Sequence, residues 1–103
     1  MRTLSEINFN YDRAIQQAER LDTVSARLGR VAGEDMEDIL NGVYQAWRSA
    51  SSAGYLRKAQ KVETDLQTAS DNLKKIANSI RAIAEQVREA ELEARRIANE
   101  KNA

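Results

Sequence analysis

The side chains best suited to acid–base chemistry in this chain are two pairs of carboxylates. Glu34 lies next to Asp35, and Glu89 lies four residues before Glu93. Paired carboxylates can act as general acid and general base when their surroundings push the two pKa values apart. Both pairs lie among polar residues on predicted helix faces, where a carboxylate is solvated. We therefore predict that neither pair catalyses a reaction.

Other catalytic groups are missing from the composition. The chain has no histidine and no cysteine, which removes the commonest general base, the commonest metal ligand and any thiolate nucleophile. No glycine-rich phosphate loop, nucleophile elbow or metal-ligand spacing occurs in the sequence. The sequence therefore predicts a protein that is not an enzyme and needs no cofactor or metal.

The charge pattern argues against nucleic acid and membrane as partners. The chain of 103 residues carries 16 basic and 16 acidic residues, mixed along its length, so no basic stripe is available for phosphates. No apolar run approaches the roughly 18 residues of a membrane span. The opening residues Met1 to Asn8 also lack the apolar segment of a secretory signal peptide.

Helix-forming residues dominate, and proline is absent. Apolar residues three or four apart predict a first helix over about 10–46, capped by Asn8 or Asn10. Gly29 and Gly33 fall inside this helix, one turn apart. They indicate either close approach of another backbone or a soft, slightly bent stretch.

The second predicted helix, over about 52–100, has the more regular pattern. Apolar residues alternate spacings of three and four from Ala59 to Ile97, which is the heptad repeat of a left-handed coiled coil. With Ala59 as position a, Ala77 and Ala84 fall at position e and widen the apolar stripe. A widened stripe indicates contact with more than one neighbouring helix.

These elements predict an all-α, single-domain antiparallel two-helix hairpin over residues 1–103, with its turn at about 47–51. The two helices would pair from the turn to about Val87, and Arg88–Ala103 would extend beyond the first helix. A second hairpin, from another copy or another protein, would complete a four-helix bundle. The predicted partner interface comprises Leu21, Leu28, Gly29, Gly33, Met36, Leu66, Leu73, Ile76, Ala77, Ile80, Ile83, Ala84, Val87 and Ile97.

Trp47, the one tryptophan, lies at the predicted turn. It could close the end of the hairpin by packing on Tyr44 or Tyr55. Alternatively, it could be a partly exposed anchor for a partner, since tryptophan is enriched at binding hot spots. Its position alone leaves both interpretations open.

Taken together, these residues resemble the WXG-type, early-secreted-antigen-like proteins of type VII secretion. The resemblance covers roughly Ile7 to Ala94. It rests on three segments: the spacing of Tyr11, Ala14, Ala18, Leu21 and Leu28; the run Val43-Tyr44-Gln45-Ala46-Trp47-Arg48-Ser49; and Tyr55-Leu56 followed by Leu66, Leu73, Ile76 and Ile80. By this resemblance, Trp47, Arg48 and Ser49 form the turn motif used in export.

The sequence departs from the family pattern at two points. Ser49 stands where the motif has glycine, and no tyrosine is followed four residues later by Asp or Glu, so the usual tail signal is missing. The resemblance then implies a homodimer, or a partner of a sister WXG-like protein or of the helical N-terminal domain of an LXG-type toxin in Gram-positive bacteria. Such a partner would act as a chaperone or targeting factor, presenting Trp47 to the secretion ATPase.

On this view the protein is cytoplasmic before export and is then secreted by a leaderless type VII route. The alternative, suggested by the zero net charge and the missing leader and tail signals, is a cytosolic structural coiled-coil adaptor that is not secreted. The sequence does not identify the partner, and it leaves open whether the protein is exported together with that partner.

Overall fold

The computed structural model describes residues 2–46 and 52–102, and the regular structure within these ranges is entirely helical. The elements are α1 (Leu4–Arg30), a π-helical turn (Val31–Asp35), α2 (Met36–Ala46) and α3 (Ser52–Asn102). The predicted all-α fold is confirmed. The predicted turn, with Trp47, Arg48 and Ser49, lies outside the described residues.

α1 begins at Leu4, six residues before the position predicted from the sequence. Thr3 caps this end: its hydroxyl accepts a hydrogen bond from the Glu6 backbone N–H at 3.1 Å and donates one to the Glu6 carboxylate at 3.1 Å. Thr3 and Glu6 have the spacing of a capping box, in which an N-cap residue and the third helical residue bond to each other. Asn8 and Asn10 are therefore interior helical residues, and the prediction that either caps the helix is wrong.

The π-helical turn between α1 and α2 accommodates an extra residue without breaking the helix. The Met36 backbone N–H reaches back to the Val31 carbonyl, a bond five residues long. Buried Ser25 and Ala32 are seven residues apart, whereas half-buried Leu40 follows Ala32 by eight. The wider turn thus keeps Leu40 on the same side of the helix as Ser25 and Ala32.

The chain divides into two compact units, each a pair of antiparallel helical segments. The terminal unit contains Met1–Leu21 and Lys75–Ala103, and the central unit contains Asp22–Lys74. In the terminal unit Arg2 contacts Glu91 at 2.8 Å. Pairing therefore extends past Val87, where it was expected to stop, because α1 starts earlier.

Both units are built around small side chains. The buried residues of the terminal unit include Ala18, Ala77 and Ala84, and those of the central unit include Ser25, Ala32 and Ser70. Small residues allow two helix backbones to approach closely, but they bury little apolar area. Much of the larger apolar surface is consequently left on the outside.

Candidate functional site

The line of contact along α3 is displaced by one residue from the row expected from the sequence. Among the α3 residues whose burial the structure describes, the buried ones are Ser70, Ala77 and Ala84, all at heptad position e. The a positions Leu66, Leu73 and Ile80 are half-buried beside them. The d positions are exposed, and they are Val62, Ala69, Ile76, Ile83, Ala90 and Ile97.

This displacement leaves each unit with two different flanks. Successive helical residues are rotated by about 100°, so Ile83, one residue before buried Ala84, turns towards one flank. Arg88, four residues after Ala84, turns towards the other. We call the flank of Ile83 the open face and the flank of Arg88 the closed face.

In the terminal unit the closed face is covered by polar contacts. The Arg88 guanidinium stacks over the Tyr11 ring at 3.9 Å from the ring centre and donates a 2.7 Å hydrogen bond to Glu85. That bond lowers the pKa of the Glu85 carboxyl, and a hydrogen bond from the Tyr11 hydroxyl acts in the same direction. These contacts hold α1 against α3 on this flank.

The open face of the terminal unit contains an apolar groove of about 250 Å³. Ile76 and Ile83 are 49% and 59% exposed there, and Val87 is also exposed. Covering an Ile or Val side chain fully is worth about 1.5–3 kcal/mol, so each half-exposed residue offers roughly 1 kcal/mol to a partner. The groove extends from the open face to Tyr11 and Arg88 of the closed face. It is lined by Ile7, Asn10, Tyr11, Ala14, Ile80, Ile83, Ala84, Val87, Arg88 and Glu91.

The central unit repeats this arrangement. Val24 and Val31 on the first helical segment each precede a buried residue, Ser25 and Ala32, and both valines are exposed. In an antiparallel helix pair, the residues that directly precede the contact residues point to the same flank on both helices. Exposed Val62 and Ala69 of α3 therefore lie on the same flank of the central unit as Val24 and Val31, and this flank is its open face.

The centre of the central unit is a polar contact between two buried serines. The Ser25 hydroxyl donates to the Ser70 carbonyl, and the Ser70 hydroxyl donates to the Ser25 carbonyl, each at 2.7 Å. Gly29 lies against this pair, because a Cβ there would stand 3.3 Å from the Ser70 hydroxyl. Gly33 lies in the π-helical turn, and a Cβ there would meet nothing within 4 Å.

The surroundings of the two glycines differ. Gly29 lies close to α3 of the same chain, where the neighbouring atom is the side-chain hydroxyl of Ser70. Gly33 has no such neighbour among the described residues and lies where the helix geometry changes.

We expect alanine substitutions to distinguish Gly29 from Gly42. Gly42 has open space around its Cα, so Gly42→Ala should raise the free energy of unfolding by about 0.5–1 kcal/mol through helix propensity alone. Gly29→Ala should lose that gain, because its Cβ presses on a hydroxyl that is fixed by its own hydrogen bond. In a Ser70→Ala background, Gly29→Ala should show the gain when compared with Ser70→Ala alone, because the hydroxyl is absent. Urea unfolding followed by circular dichroism measures the free energy of unfolding of all four variants. Equal gains at Gly29 and Gly42 in the otherwise unchanged chain would contradict the close contact.

The predicted interface residues fall into three groups. Ala77 and Ala84 are buried inside the chain and are not available to a partner. Ile76, Ile83, Val87 and Ile97 are exposed. The half-buried members are Leu21, Leu28, Gly29, Gly33, Met36, Leu66, Leu73 and Ile80.

The carboxylates considered for catalysis lie at the surface. Glu34 and Asp35 are exposed in the π-helical turn, and Glu93 forms an ion pair with Arg96, which lowers the pKa of Glu93. Within residues 2–46 and 52–102 no group of three or more acidic side chains is placed to hold a metal ion. In the same ranges, no helix combines the length and apolar character needed to cross a membrane.

Comparison with protein-family models, with curated proteins and with solved structures found no match to this chain.

Proposed function

We propose that this protein is a helix-binding partner protein of a type VII secretion system, which pairs with a helical export substrate or a sister hairpin. The supporting observation is the open face of the terminal unit, where Ile76, Ile83 and Val87 stand exposed beside an apolar groove. Exposed apolar rows of this kind mark protein–protein interaction sites. The assignment to type VII secretion rests on the resemblance to WXG-type proteins.

The kind of partner follows from the geometry of the exposed row. Ile76 and Ile83 are seven residues apart on one helix, which is the repeat that another helix matches through knobs-into-holes packing. An α-helix with its own apolar row would bury these side chains, as in a four-helix bundle. The helical N-terminal domain of an LXG-type toxin and a sister WXG-like hairpin both meet this description.

The test is co-expression of the tagged chain with the N-terminal domain of an LXG-type toxin or with a sister WXG-like hairpin. We expect the partner to co-purify with the unchanged chain and to be lost with Ile76→Asp/Ile83→Asp, because a partner helix would have to bury two carboxylates. Ala82→Asp is the matched control: Ala82 is exposed on the same turn of α3 but lies off the apolar row. Equal capture by the double variant and the control would rule out the open face as the binding site.

Secretion is measured in the same cultures. Both chains should appear in the medium without lysis, and Trp47→Ala should reduce that amount while leaving co-purification intact. If the chain binds its partner through Ile76 and Ile83 but stays inside the cells, the secretion role is wrong. The protein is then better described as a cytosolic coiled-coil adaptor.

A further inference from the structure

The open face of the terminal unit differs in chemistry between its two helices. On α3 this face is apolar, with Ile76, Ile83 and Val87 exposed. On α1 the exposed residue at its centre is Gln17, which directly precedes buried Ala18. A helix lying on this face would therefore contact apolar side chains on α3 and mainly polar side chains on α1.

Two exposed arginines form the outer border of the open face on α1. Arg13 and Arg20 are seven residues apart, and they lie five residues before and two residues after buried Ala18. At about 100° per residue, both side chains point to the flank of Gln17 and away from α3. Among the described residues neither guanidinium forms an ion pair, and Arg13 lies over the Phe9 ring, 6.0 Å from its centre.

Carboxylates of the same chain are poorly placed to pair with these arginines in a second copy. Glu6 lies seven residues before Arg13 on the same row, and its carboxylate accepts the Thr3 hydroxyl at the helix cap. The equivalent heptad row of α3 in the terminal unit comprises Ser79, Gln86, Glu93 and Glu100. The first two are neutral, and Arg96 binds both carboxylates. The two arginines therefore favour a partner other than a second copy.

We propose that the open face binds an amphipathic helix of another protein, whose acidic border pairs with Arg13 and Arg20. In paired helices, the charged residues that flank the apolar row set the choice of partner. The apolar row of the partner would bury Ile76 and Ile83, and its carboxylates would reach the two guanidiniums. This inference rests on the proposed function, to which it adds the chemistry of the partner.

An anionic membrane surface fits these residues less well. Recognition of anionic lipid headgroups takes clusters of about four to eight basic residues, whereas the border of the open face carries Arg13 and Arg20. Glu6 on the same row, and Glu93 and Glu100 on the border of α3, would face the same anionic surface. A helix with carboxylates along one side meets the arginines without this repulsion.

Two synthetic helical peptides of about four heptads serve as probes, since shorter peptides form unstable helices in water. Both have leucine at positions a and d, and they have either glutamate or lysine at positions e and g. Fluorescence anisotropy of the labelled peptides measures Kd. We expect the glutamate peptide to bind about tenfold more tightly, because one exposed ion pair changes affinity by up to about fivefold. The formal net charge of the chain is zero, so overall charge favours neither peptide.

Charge reversal at the border locates the preference. Arg13→Glu/Arg20→Glu should abolish or reverse the preference for the glutamate peptide. Arg30→Glu/Lys75→Glu is the matched control, because it changes the net charge equally at exposed residues that lie off the open face. The control should retain the preference. Circular dichroism checks that both variants remain helical.

The possible results separate this inference from the proposed function. Equal binding of both peptides, lost with Ile76→Asp/Ile83→Asp, would overturn the inference and leave the helix-binding function in place. Binding of neither peptide would overturn the inference, and the co-expression test would still decide the helix-binding function by itself. Two further results would overturn the inference: binding to phosphatidylserine vesicles in place of the peptide, or a dimer of the chain that the glutamate peptide does not displace.

Discussion

Ala77→Leu should lower the free energy of unfolding by about 1–3 kcal/mol, although leucine is the more hydrophobic residue and both residues favour helix. Ala77 is fully buried, and helices that pair through small residues have no room for three further carbon atoms. Overpacking a close contact forces the helices apart or the side chain out of its rotamer, at this order of cost. Urea unfolding by circular dichroism measures the change, at a concentration where light scattering shows one species.

The matched substitution is Ile83→Ala, six residues further along the same helix. Ile83 is largely exposed, so removing most of its side chain should change the free energy of unfolding by only about 0.5 kcal/mol. Truncating an isoleucine usually destabilises a protein more than enlarging an alanine to leucine. Here we expect the opposite: Ala77→Leu should lower the free energy of unfolding more than Ile83→Ala does. If Ala77→Leu is neutral and Ile83→Ala is strongly destabilising, the helices pair through the d row and not through Ala77 and Ala84.

The displaced contact line also shows why the sequence predicted which residues are helical better than it predicted which face of each helix is buried. The three–four rhythm from Ala59 to Ile97 is a property of one helix, so it is visible in one sequence. Which row meets the neighbouring helix depends on how closely the backbones approach. Large residues at position d suggested an a/d contact, whereas Ala77 and Ala84 at position e permit the closer contact that the structure has.

The start of α1 was missed for a different reason. Asn8 and Asn10 are good capping residues, and they directly precede the regular apolar spacing that begins at Tyr11. The competing signal, Thr3 followed by Glu6, has the spacing of a capping box, and it lies several residues before the regular apolar spacing begins. Burial of Ile7 against α3 stabilises this earlier start of the helix.

The π-helical turn leaves almost no trace in the spacing of apolar residues. Ala32, Met36 and Leu40 follow one another at intervals of four, which an uninterrupted α-helix also allows. The extra residue becomes visible only when the seven-residue step from Ser25 to Ala32 is compared with the eight-residue step to Leu40. That comparison requires knowing which residues are buried, so it could not be made from the sequence.

What binds at the open face is the feature that a single sequence predicts least well. The sequence predicted an apolar stripe too wide for one neighbour, and the exposed d row fits that expectation. Under the proposed function, the identity of a helix that covers it depends on the side chains of the partner. Ile76 and Ile83 define where such a helix would lie, but they do not distinguish a toxin domain from a sister hairpin.

Ile7→Ala should be the most damaging simple truncation in the terminal unit, lowering the free energy of unfolding by about 2–5 kcal/mol. Ile7 is the largest essentially fully buried side chain among the described residues, at 2% exposure. Its backbone N–H also bonds to the Thr3 carbonyl at 3.0 Å, so Ile7 belongs to the first turn of α1, and burial of its side chain helps to hold that turn. Loss of the side chain removes apolar burial and leaves a cavity beside the groove.

Leu4→Ala is the control for this prediction, since Leu4 lies one turn earlier on the same helix and is 46% exposed. It should cost far less than Ile7→Ala in the same urea titration. Amide hydrogen exchange then shows where the loss occurs: residues of α1 near Ile7 should lose protection first in Ile7→Ala. Equal, small effects of both substitutions would mean that the start of α1 opens independently of α3. In that case the groove beside Ile83 would have only one firm wall, and a partner helix would have to order the other wall on binding.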